Sequence, residues 1–294
     1  MPEQLAHCPL CRNNKFKHFD TGHFQNSLVQ NQICTQCGFV FQNPRMSAEE
    51  LNGFYTNSYR EVYQGQADPT EKDMIVQRLR AEHLLNFLVD MIPQISTHLD
   101  IGSSAGMLLA TIQKAYHCTS MGIEPGEAYR KFTQDKGFDV YPDLANIQNG
   151  IIEQFDLISM IHVLEHIPNP IPYLNEIRRD HLSREGYLLL EVPNLYFHDS
   201  FEIAHMSAFS RHSLEQMLIT SGYSIVHSMA HGFPRSKLIP LYLTFLAQPM
   251  ETVPNKKVKP ELWVKQKRRL GFIYRRLVQK FFPSLSWKSF NNKE

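Results

Sequence analysis

Several features that would assign a function at once are absent from this 294-residue sequence. No apolar run is long enough to cross a membrane, which argues against an integral membrane protein. No P-loop, nucleophile elbow or internal repeat occurs, so nothing points to an NTPase, a serine hydrolase or a solenoid. Nothing like a signal peptide precedes the first cysteines, and we therefore expect a cytoplasmic protein whose thiols stay reduced.

Net charge is also small, but its distribution is uneven. The whole chain carries +1, from 30 basic and 29 acidic residues. Residues 250–294 contain twelve Lys and Arg against three acidic residues, so this tail carries +9 and residues 1–249 carry −8. The tail is therefore a separate electrostatic unit. A 43% share of hydrophobic residues is enough for a full α/β core with accessory elements.

Cysteine is rare too, with five residues in the chain, and four of them form two closely spaced pairs. The C-x-x-C pairs are Cys8 with Cys11 and Cys34 with Cys37, and 22 residues separate them. Two such pairs can bind one zinc ion in a tetrahedral shell, whose four protein ligands leave no open position for catalysis. Two disulfides are the alternative, but a reducing compartment favours structural Zn²⁺.

A turn of small residues follows the strand predicted near residue 98. The strand ends at Asp100, and Gly102 and Gly106 lie in the turn before an apolar helix. Glycine is required where the backbone takes a positive φ or approaches a ligand closely. The dinucleotide-binding pattern G-x-G-x-x-G is not met, because Ser104 and Met107 stand where it needs glycine. A nicotinamide cofactor is therefore disfavoured.

Two further strand ends continue the spacing of successive βα units. Glu124, followed by Pro125, ends the next strand, where doubly wound folds place an acidic side chain that accepts hydrogen bonds from ribose hydroxyls. Residues 155–161 form an apolar run typical of a strand buried on both faces, and His162 and Val163 follow it. The carboxyl ends of these strands should meet at one crevice, where such folds bind ligands.

Together these segments resemble the S-adenosylmethionine site of class I methyltransferases. Residues 100–106 match the family's D/E-x-G-x-G-x-G pattern except at Ser104, and residues 162–167 read H-V-L-E-H-I, a run common in one bacterial branch. The resemblance implies a methyltransferase with a doubly wound, mostly parallel, Rossmann-like α/β sheet. It also implies that S-adenosylmethionine contacts the following residues: Asp100, Gly102, Ser104, Gly106, Glu124, Pro125, His162 and Val163.

The acceptor side can be compared with a narrower group. The Cys₄ module, the core, E-V-P-N at residues 191–194 and H-x-x-x-F-S at 205–210 resemble the bacterial zinc-containing methyltransferases of sugar and polysaccharide biosynthesis. Deoxysugar C-methyltransferases of that group carry Y-H-E-H, where this chain has Glu202 for the Tyr and keeps the last His as His205. The resemblance implies O-methylation of a nucleotide sugar or a lipid-linked glycan, with His205 as general base. The alternative is that His205 only braces the helix that follows.

These patterns predict four segments. They are a Cys₄ zinc-ribbon module over residues 1–45, a helical linker or lid over 46–95, the methyltransferase core over 96–235, and a basic helical extension over 236–294. Ser47 and Glu50 form a capping box. Periodicity predicts helices over 71–92, 172–182 and 210–220 and strands over 187–192 and 223–228.

The basic extension leaves three interpretations open. Between residues 261 and 282 apolar side chains recur among the cations, which describes an amphipathic helix in peripheral contact with a membrane. The same composition occurs in an RNA-binding zinc-ribbon protein or an RNA methyltransferase, which is the alternative function. A helix that packs on its own domain is the third interpretation. Because the ribbon contains few basic residues, we expect a small-molecule or glycan acceptor rather than nucleic acid.

Overall fold

The computed structural model describes residues 2–24, 27–57, 68–147, 152, 154–199, 201–254 and 256–290. Residues 58–67 of the predicted lid lie outside the described residues. The first elements are β1 (Phe16–Phe24), β2 (Ser27–Cys34), β3 (Val40–Gln42), α1 (Ala48–Asn57) and α2 (Glu71–Leu88). The others are β4 (Thr97–Ile101), α3 (Met107–Tyr116), β5 (Thr119–Ile123), α4 (Glu127–Gln134), β6 (Asp139–Tyr141), β7 (Phe155–Ile161), α5 (Pro170–Glu176), β8 (Leu182–Pro193), β9 (Ser207–Ala208), α6 (Arg211–Thr220), β10 (Tyr223–His231), β11 (Tyr242–Pro249), α7 (Val264–Phe281) and α8 (Pro283–Ser286).

Seven strands form the central sheet, in the order β10-β11-β8-β7-β4-β5-β6. The pairs β4–β5, β5–β6, β4–β7 and β7–β8 are parallel, whereas β11 is antiparallel to both β8 and β10. The predicted doubly wound, mostly parallel α/β sheet is confirmed. The chain runs from β4 outward to β6 and then returns to β7 beside β4. Such a reversal of strand order opens a crevice at the carboxyl ends of the strands.

The central strands are buried on both faces because helices cover each side of the sheet. In β7, Leu157 packs with residues of α2 and α3, whereas its neighbour Ile158 packs with residues of α5 and α6. This alternation follows from the two-residue repeat of a strand. Neither side chain is exposed to solvent. The sequence of β7 is therefore almost continuously apolar instead of alternating between apolar and polar residues.

Several predicted elements occur with shifted ends. The capping box at the start of α1 is confirmed, because Ser47 N donates to Glu50 Oε2 (2.9 Å) and Glu50 N donates to Ser47 Oγ (3.2 Å). Helix α2 ends at Leu88, four residues before the predicted end. Helix α5 ends at Glu176, and a π-helical turn over Ile177–His181 leads directly into β8. β8 therefore begins earlier than the predicted strand over 187–192.

The sheet extends beyond the predicted core boundary at residue 235. Residues 236–294 were expected outside the core, but β11 lies between β8 and β10. Leu243 and Phe245 are buried on one face of the sheet and Leu246 on the other. Residues 232–241 connect β10 to β11, and this connection is longer than a typical hairpin loop. The pairing of β10 with β11 therefore has no short turn motif by which it could be recognised in the sequence.

The N-terminal segment has its own sheet, which a core strand completes. β2 pairs antiparallel with β1 on one side and with β3 on the other, and β3 pairs antiparallel with β9, so that Phe41 lies opposite Ser207. Phe39 packs against Phe209 of the core, with ring centroids 5.6 Å apart. The segment with the four cysteines therefore shares hydrogen bonds and apolar contacts with the rest of the molecule.

Helix α7 is the predicted helical tail. One face of it packs against both the N-terminal sheet and the loop that follows β8 in the central sheet. Val264 belongs to a buried cluster with Phe19 of β1 and Leu195, which follows β8. The guanidinium of Arg275 donates to Phe197 O (3.0 Å). The tail is therefore anchored to the loop after β8. Among the helices of the described residues, none combines the length and apolar character needed to span a membrane.

Candidate active site

A cavity of about 680 Å³ opens at the carboxyl ends of β4, β5 and β7, beside α2. This is the place where doubly wound sheets bind ligands, and the volume is in the range of small-molecule and cofactor sites. Of the residues predicted to contact the cofactor, all except Gly106 line the cavity. The wall includes Gln77, Arg80, Leu84, Asp100, Gly102, Ser104, Glu124, Pro125, Asp143, Leu144, Ile161, His162, Val163, His166 and Tyr173.

The turn after β4 takes left-handed backbone conformations at three positions. Gly102 has φ +79°, Ser104 has φ +50° and Gly106 has φ +74°. A side chain makes this conformation costly, so Ser104 is held by its surroundings. Ser104 N donates to Glu124 Oε2 (2.9 Å), and Thr133 Oγ1 donates to Ser104 O (2.9 Å). These hydrogen bonds explain how the turn forms without the glycine of the family pattern.

The two glycines of the turn are required for different reasons. A Cβ on Gly102 would lie 2.5 Å from Val163 Cγ2, next to the cavity. A Cβ on Gly106 would lie 2.6 Å from Thr133 Cγ2, where the turn packs on α4. The close approach that Gly106 makes in the structure is to Thr133 of α4, and its contact with the cofactor stays a prediction.

Two carboxyl groups lie where the predicted strands end. Glu124 is 4% exposed, and its Oε1 accepts a hydrogen bond from Gly126 N (2.9 Å). Together with the bond from Ser104 N to Oε2, this fixes the carboxylate in the cavity wall. Asp100 Oδ1 accepts from Ser159 Oγ (2.6 Å). Burial raises the pKa of Asp100 to about 7, although the Ser159 hydroxyl stabilises the ionised form.

His162 lies between two buried carboxylates at the end of β7. It has φ +56°, an uncommon value for a residue with a side chain. Its Nδ1 lies 3.3 Å from Glu165 Oε1, and its Nε2 lies 3.2 Å from Glu191 Oε1. Burial and the nearby Arg80 charge favour the neutral ring, but the hydrogen bonds with both carboxylates raise the pKa of His162 overall. The strained backbone therefore places an imidazole that favours its charged form at the cavity edge.

Glu191 of the E-V-P-N segment is fully buried and is surrounded by basic and hydrogen-bonding side chains. Arg80 Nε lies 3.0 Å from its Oε1, and Thr244 Oγ1 donates to its Oε2 (3.0 Å). His231 Nε2 also lies 3.2 Å from Oε2. Burial opposes ionisation, but Arg80 and the hydrogen bonds from His162 and His231 hold the pKa of Glu191 well below its usual range. Glu191 is therefore a fixed anion that positions other groups, and not a proton acceptor.

His166 is the second histidine of the H-V-L-E-H-I run that lines the cavity, together with His162. Its Nδ1 donates to Ala204 O (3.1 Å), which fixes the ring orientation and leaves the lone pair on Nε2 in the neutral ring. Burial, followed by repulsion from His205, lowers the pKa of His166 to about 4. Glu165 is next to it, and its pKa is about 2 because the hydrogen bond with His162 and the neighbouring imidazoles outweigh burial. A neutral base and a buried anion are thus adjacent.

His205 occupies a different position from the one the sequence predicted. It lies behind His166, with ring centroids 4.7 Å apart, and lines a separate small pocket with His198 and Arg268. Its Nε2 is 3.4 Å from Glu202 Oε2. The wall of the 680 Å³ cavity includes His166 and not His205 among the described residues. The backbone of Met206, the next residue, is fixed by two hydrogen bonds: its N–H donates to Glu165 O (2.8 Å), and its carbonyl accepts from Gln42 N (2.9 Å). These bonds hold the His205 segment away from the cavity wall.

Two cavity residues on α2 have no recognisable signal in the sequence. Gln77 Nε2 donates to Ser104 Oγ (3.1 Å), and its Oε1 accepts from Ala105 N (3.3 Å). Arg80, about one turn further along, reaches Glu191. In the sequence both are ordinary polar positions of an amphipathic helix. Only the packing of α2 over the carboxyl ends of the strands brings them to the site.

The four cysteines converge as the spacing predicted. Cys8 Sγ lies 3.7 Å from Cys37 Sγ, Cys11 Sγ lies 3.5 Å from Cys34 Sγ, and all four sulfur atoms lie within 4.8 Å of one another. A tetrahedral zinc ion with Zn–S bonds of about 2.3 Å needs sulfur atoms about 3.8 Å apart. These separations are too long for disulfides, for which S–S is about 2.05 Å. The donor set therefore fits one zinc ion.

The two cysteine turns have the same backbone geometry. Arg12 N donates to Cys8 O and Gly38 N donates to Cys34 O, each over 3.0 Å. Arg12 has φ +63° and Gly38 has φ +76°, so each pair is followed by a residue in the left-handed region. Glycine was recognisable as a turn signal only in the second pair. In the first, Arg12 takes the same conformation at a steric cost.

A second group of potential ligands lies beside the cavity. Glu165, His166 and His205 bring ligand atoms within 4.8 Å of one another. Two imidazoles and a carboxylate form a donor set that zinc or iron can use. The Glu165 carboxylate already pairs with the His162 ring over 3.3 Å.

The sequence model of a family described as a methyltransferase domain matches residues 74–228, which is more than half of the chain. The chain belongs to this methyltransferase family. It is an S-adenosylmethionine-dependent methyltransferase, and the cavity at the carboxyl ends of β4, β5 and β7 is the candidate site for that cofactor. Among curated proteins, none matches the sequence.

Solved structures share the fold of this methyltransferase at low sequence identity. The plantazolicin methyltransferase BpumL, in complex with a triazolic desmethylPZN analog and SAH, is 15% identical, has a TM-score of 0.53, and aligns over 68% of this chain and 95% of its own. An S-adenosylmethionine-dependent methyltransferase from Clostridium acetobutylicum is 12% identical with a TM-score of 0.47, over 65% and 96% of the two chains. At such identities the likeness concerns the fold alone.

Proposed function

We propose that this methyltransferase acts on a hydroxyl group of a small polar acceptor, by O-methylation of a nucleotide sugar or a lipid-linked glycan. The observation that carries the proposal is the position of His166 on the cavity wall, with Glu165 and His205 behind it. A hydroxyl must lose a proton to become a good nucleophile, and a positioned imidazole can accept it. The choice of a sugar rests on the resemblance of the Cys₄ module and of residues 191–194 and 205–210 to sugar-modifying methyltransferases.

The cavity has the groups needed to hold S-adenosylmethionine. The buried carboxylate of Glu124 would accept hydrogen bonds from the ribose hydroxyls. Gly102 and Ser104 would present their backbone to the cofactor, because both line the cavity and Gly102 has no side chain to keep a ligand at a distance. When bound, the cofactor supplies an electrophilic methyl group on a sulfonium. The protein then has to align the acceptor and remove its proton.

We assign the proton acceptor to His166 Nε2. The Nδ1 bond to Ala204 O orients the ring, and the lowered pKa of His166 keeps the imidazole neutral at pH 7. The Glu165 carboxylate would stabilise the imidazolium once the proton has been accepted. His205, in edge contact with His166 and 3.4 Å from Glu202, is a positioning residue that packs against the base. The role of base predicted for His205 is therefore assigned to His166, its neighbour in space.

The Cys₄ cluster would hold a structural zinc ion. Cys8, Cys11, Cys34 and Cys37 supply all four ligands of a tetrahedral ion, so no position remains for substrate. The cluster lies next to β3, which pairs with β9 directly after the His205 segment. The role of the metal is therefore to hold this segment in place.

The decisive experiment identifies the acceptor. Mass spectrometry of nucleotide sugars and glycans from cells with the gene, without it, and with a His166→Gln variant should reveal one species that lacks a methyl group in the last two. The variant separates loss of catalysis from loss of the protein, because it should bind S-adenosylmethionine normally. A methyl group missing from RNA or from a peptide, with sugars unchanged, would refute the proposed acceptor while leaving the methyltransferase assignment intact.

A further inference from the structure

The outer side of the C-terminal segment concentrates the exposed apolar surface of the protein. Of the fourteen large apolar side chains that are exposed in the described residues, nine lie between residues 262 and 287. Single exposed apolar residues scattered over a surface are normal, but a contiguous group marks an interaction site. Trp263 is 70% exposed and Leu270 is 65% exposed, so solvent reaches most of their surface.

The exposed apolar residues of α7 share one face of the helix. Leu270, Ile273, Leu277 and Phe281 follow the three- and four-residue spacing of an α-helix and are all exposed. Residues 264, 271 and 278, which lie about a third of a turn further round the helix, are buried against the body of the protein. Tyr274 is also exposed, next to Leu277 and Leu270. The outward face is therefore apolar, although no part of the chain that the structure describes covers it.

A stripe of cations runs beside this apolar face. Lys265, Arg269, Arg276 and Lys280 recur at the same helical spacing and are exposed. Two other arginines of α7, at 268 and 275, point inward, where they donate to backbone carbonyls of residues 195–198 and thereby anchor the helix. The outward cations are thus additional to those that hold the helix in place. We call the four cations together with Leu270, Ile273, Leu277 and Phe281 the α7 outer face.

We propose that the α7 outer face binds the surface of a bilayer that contains anionic lipids, with the helix lying in the plane of the interface. An exposed apolar stripe flanked by Lys and Arg is what such a surface accommodates, with apolar side chains below the headgroups and cations among them. Trp287 and Tyr274 have the amphipathic rings found at membrane interfaces. The proposal concerns this surface alone and does not depend on the identity of the acceptor.

Charge favours this occupant and this orientation. Residues 250–294 carry +9, whereas residues 1–249 carry −8. An anionic bilayer therefore attracts the tail and repels the rest of the molecule. Two copies of the chain would bring like charges together at this face. RNA would gain from the cations, but the aliphatic side chains of Leu270, Ile273 and Leu277 offer bases no stacking platform.

Vesicle binding by the full chain tests the proposal. Sedimentation with vesicles of phosphatidylcholine plus about a third phosphatidylglycerol should retain the protein, and vesicles of phosphatidylcholine alone should bind it at least about tenfold more weakly. The combined variant Leu270→Ser, Leu277→Ser, Phe281→Ser should lose most of this binding. The combined variant Val89→Ser, Val226→Ser is the matched control, since it changes exposed apolar residues elsewhere and should bind like wild type.

The charge contribution and the rival occupants have separate tests. Neutralising Lys265, Arg269, Arg276 and Lys280 to Gln should remove the preference for anionic vesicles and the sensitivity to salt. Melting temperature and S-adenosylhomocysteine affinity should stay at the wild-type values in every variant, which shows that they fold. Absence of vesicle binding by wild type at low salt would overturn the proposal. So would tighter binding to polyuridylate RNA than to anionic vesicles, or a dimer in sedimentation velocity that the apolar variant alone dissolves.

Discussion

The two sides of the cavity are built in different ways. On the cofactor side, Gly102, Ser104 and Glu124 act through backbone geometry and backbone N–H groups, and they belong to two successive βα units. On the proposed acceptor side, the ionisable side chains of Glu165, His166 and His205 meet from segments that are distant in the sequence. The cofactor is shared by the whole family, so its site can be local and fixed. The acceptor side depends on tertiary contacts and can change without altering the fold.

The largest effect is expected on the acceptor side, for His166→Gln. Loss of the proton acceptor should lower turnover by roughly a hundredfold to ten-thousandfold, while S-adenosylhomocysteine affinity in calorimetry stays at the wild-type value. His205→Ala should lower turnover less, by about tenfold, because His205 acts through His166. If His205→Ala is the more damaging change and melting temperatures are equal, the base is His205 and our assignment is wrong.

On the cofactor side, Gly102→Ala should lower S-adenosylmethionine affinity by about a hundredfold, or about 2.7 kcal/mol. The new Cβ would lie 2.5 Å from Val163 Cγ2 and would force the turn to move. Gly137→Ala is the matched control, because Gly137 also has a positive φ, +89°, but a Cβ there would meet no atom of the described residues within 4 Å. Calorimetry that shows equal losses for both substitutions would mean that backbone strain, and not the clash, controls binding.

Loss of the zinc site should lower turnover while leaving cofactor affinity nearly unchanged. We expect about one zinc ion per chain by elemental analysis. Cys11→Ser should lower turnover about tenfold or more, because β3 holds β9 and the adjacent His205 segment. The loops after β4 and β5, which would bind the cofactor, belong to the seven-stranded sheet and not to the sheet of β3 and β9. The affinity for S-adenosylhomocysteine should therefore change less than about twofold. Equal loss of affinity and turnover would show that the cluster supports the whole core.

The last prediction concerns the pH dependence of stability and the variant Asp100→Asn. Burial raises the pKa of Asp100 to about 7, whereas an unfolded chain releases this proton near about 3.9. The unfolded state therefore gains stability as the pH rises from about 4 to 7, and the wild type loses up to about 4 kcal/mol over that window. The variant lacks this dependence, so its melting temperature should rise relative to wild type. Parallel curves would show that Asp100 is ionised in the folded protein.

The sequence by itself determined the features that depend on short-range geometry. The C-x-x-C turns, the glycine turn after β4 and the acidic residue at the end of β5 are each specified by a few consecutive residues, whose φ angles and hydrogen bonds are local. The buried run of β7 identified a strand in the middle of the sheet, because burial on both faces removes polar alternation. These signals were sufficient for the fold and for most of the predicted residues that line the cavity.

Only the tertiary structure decided which ionisable groups meet. Arg80 pairs with Glu191, which lies more than a hundred residues away in the sequence, and no periodic pattern in the sequence predicts this contact. His166 faces the cavity and His205 lies behind it because Met206 is held between Glu165 and Gln42 by backbone hydrogen bonds. The sequence analysis pointed to His205 and did not single out His166, since burial and orientation are properties of packing between distant segments and not of residue type.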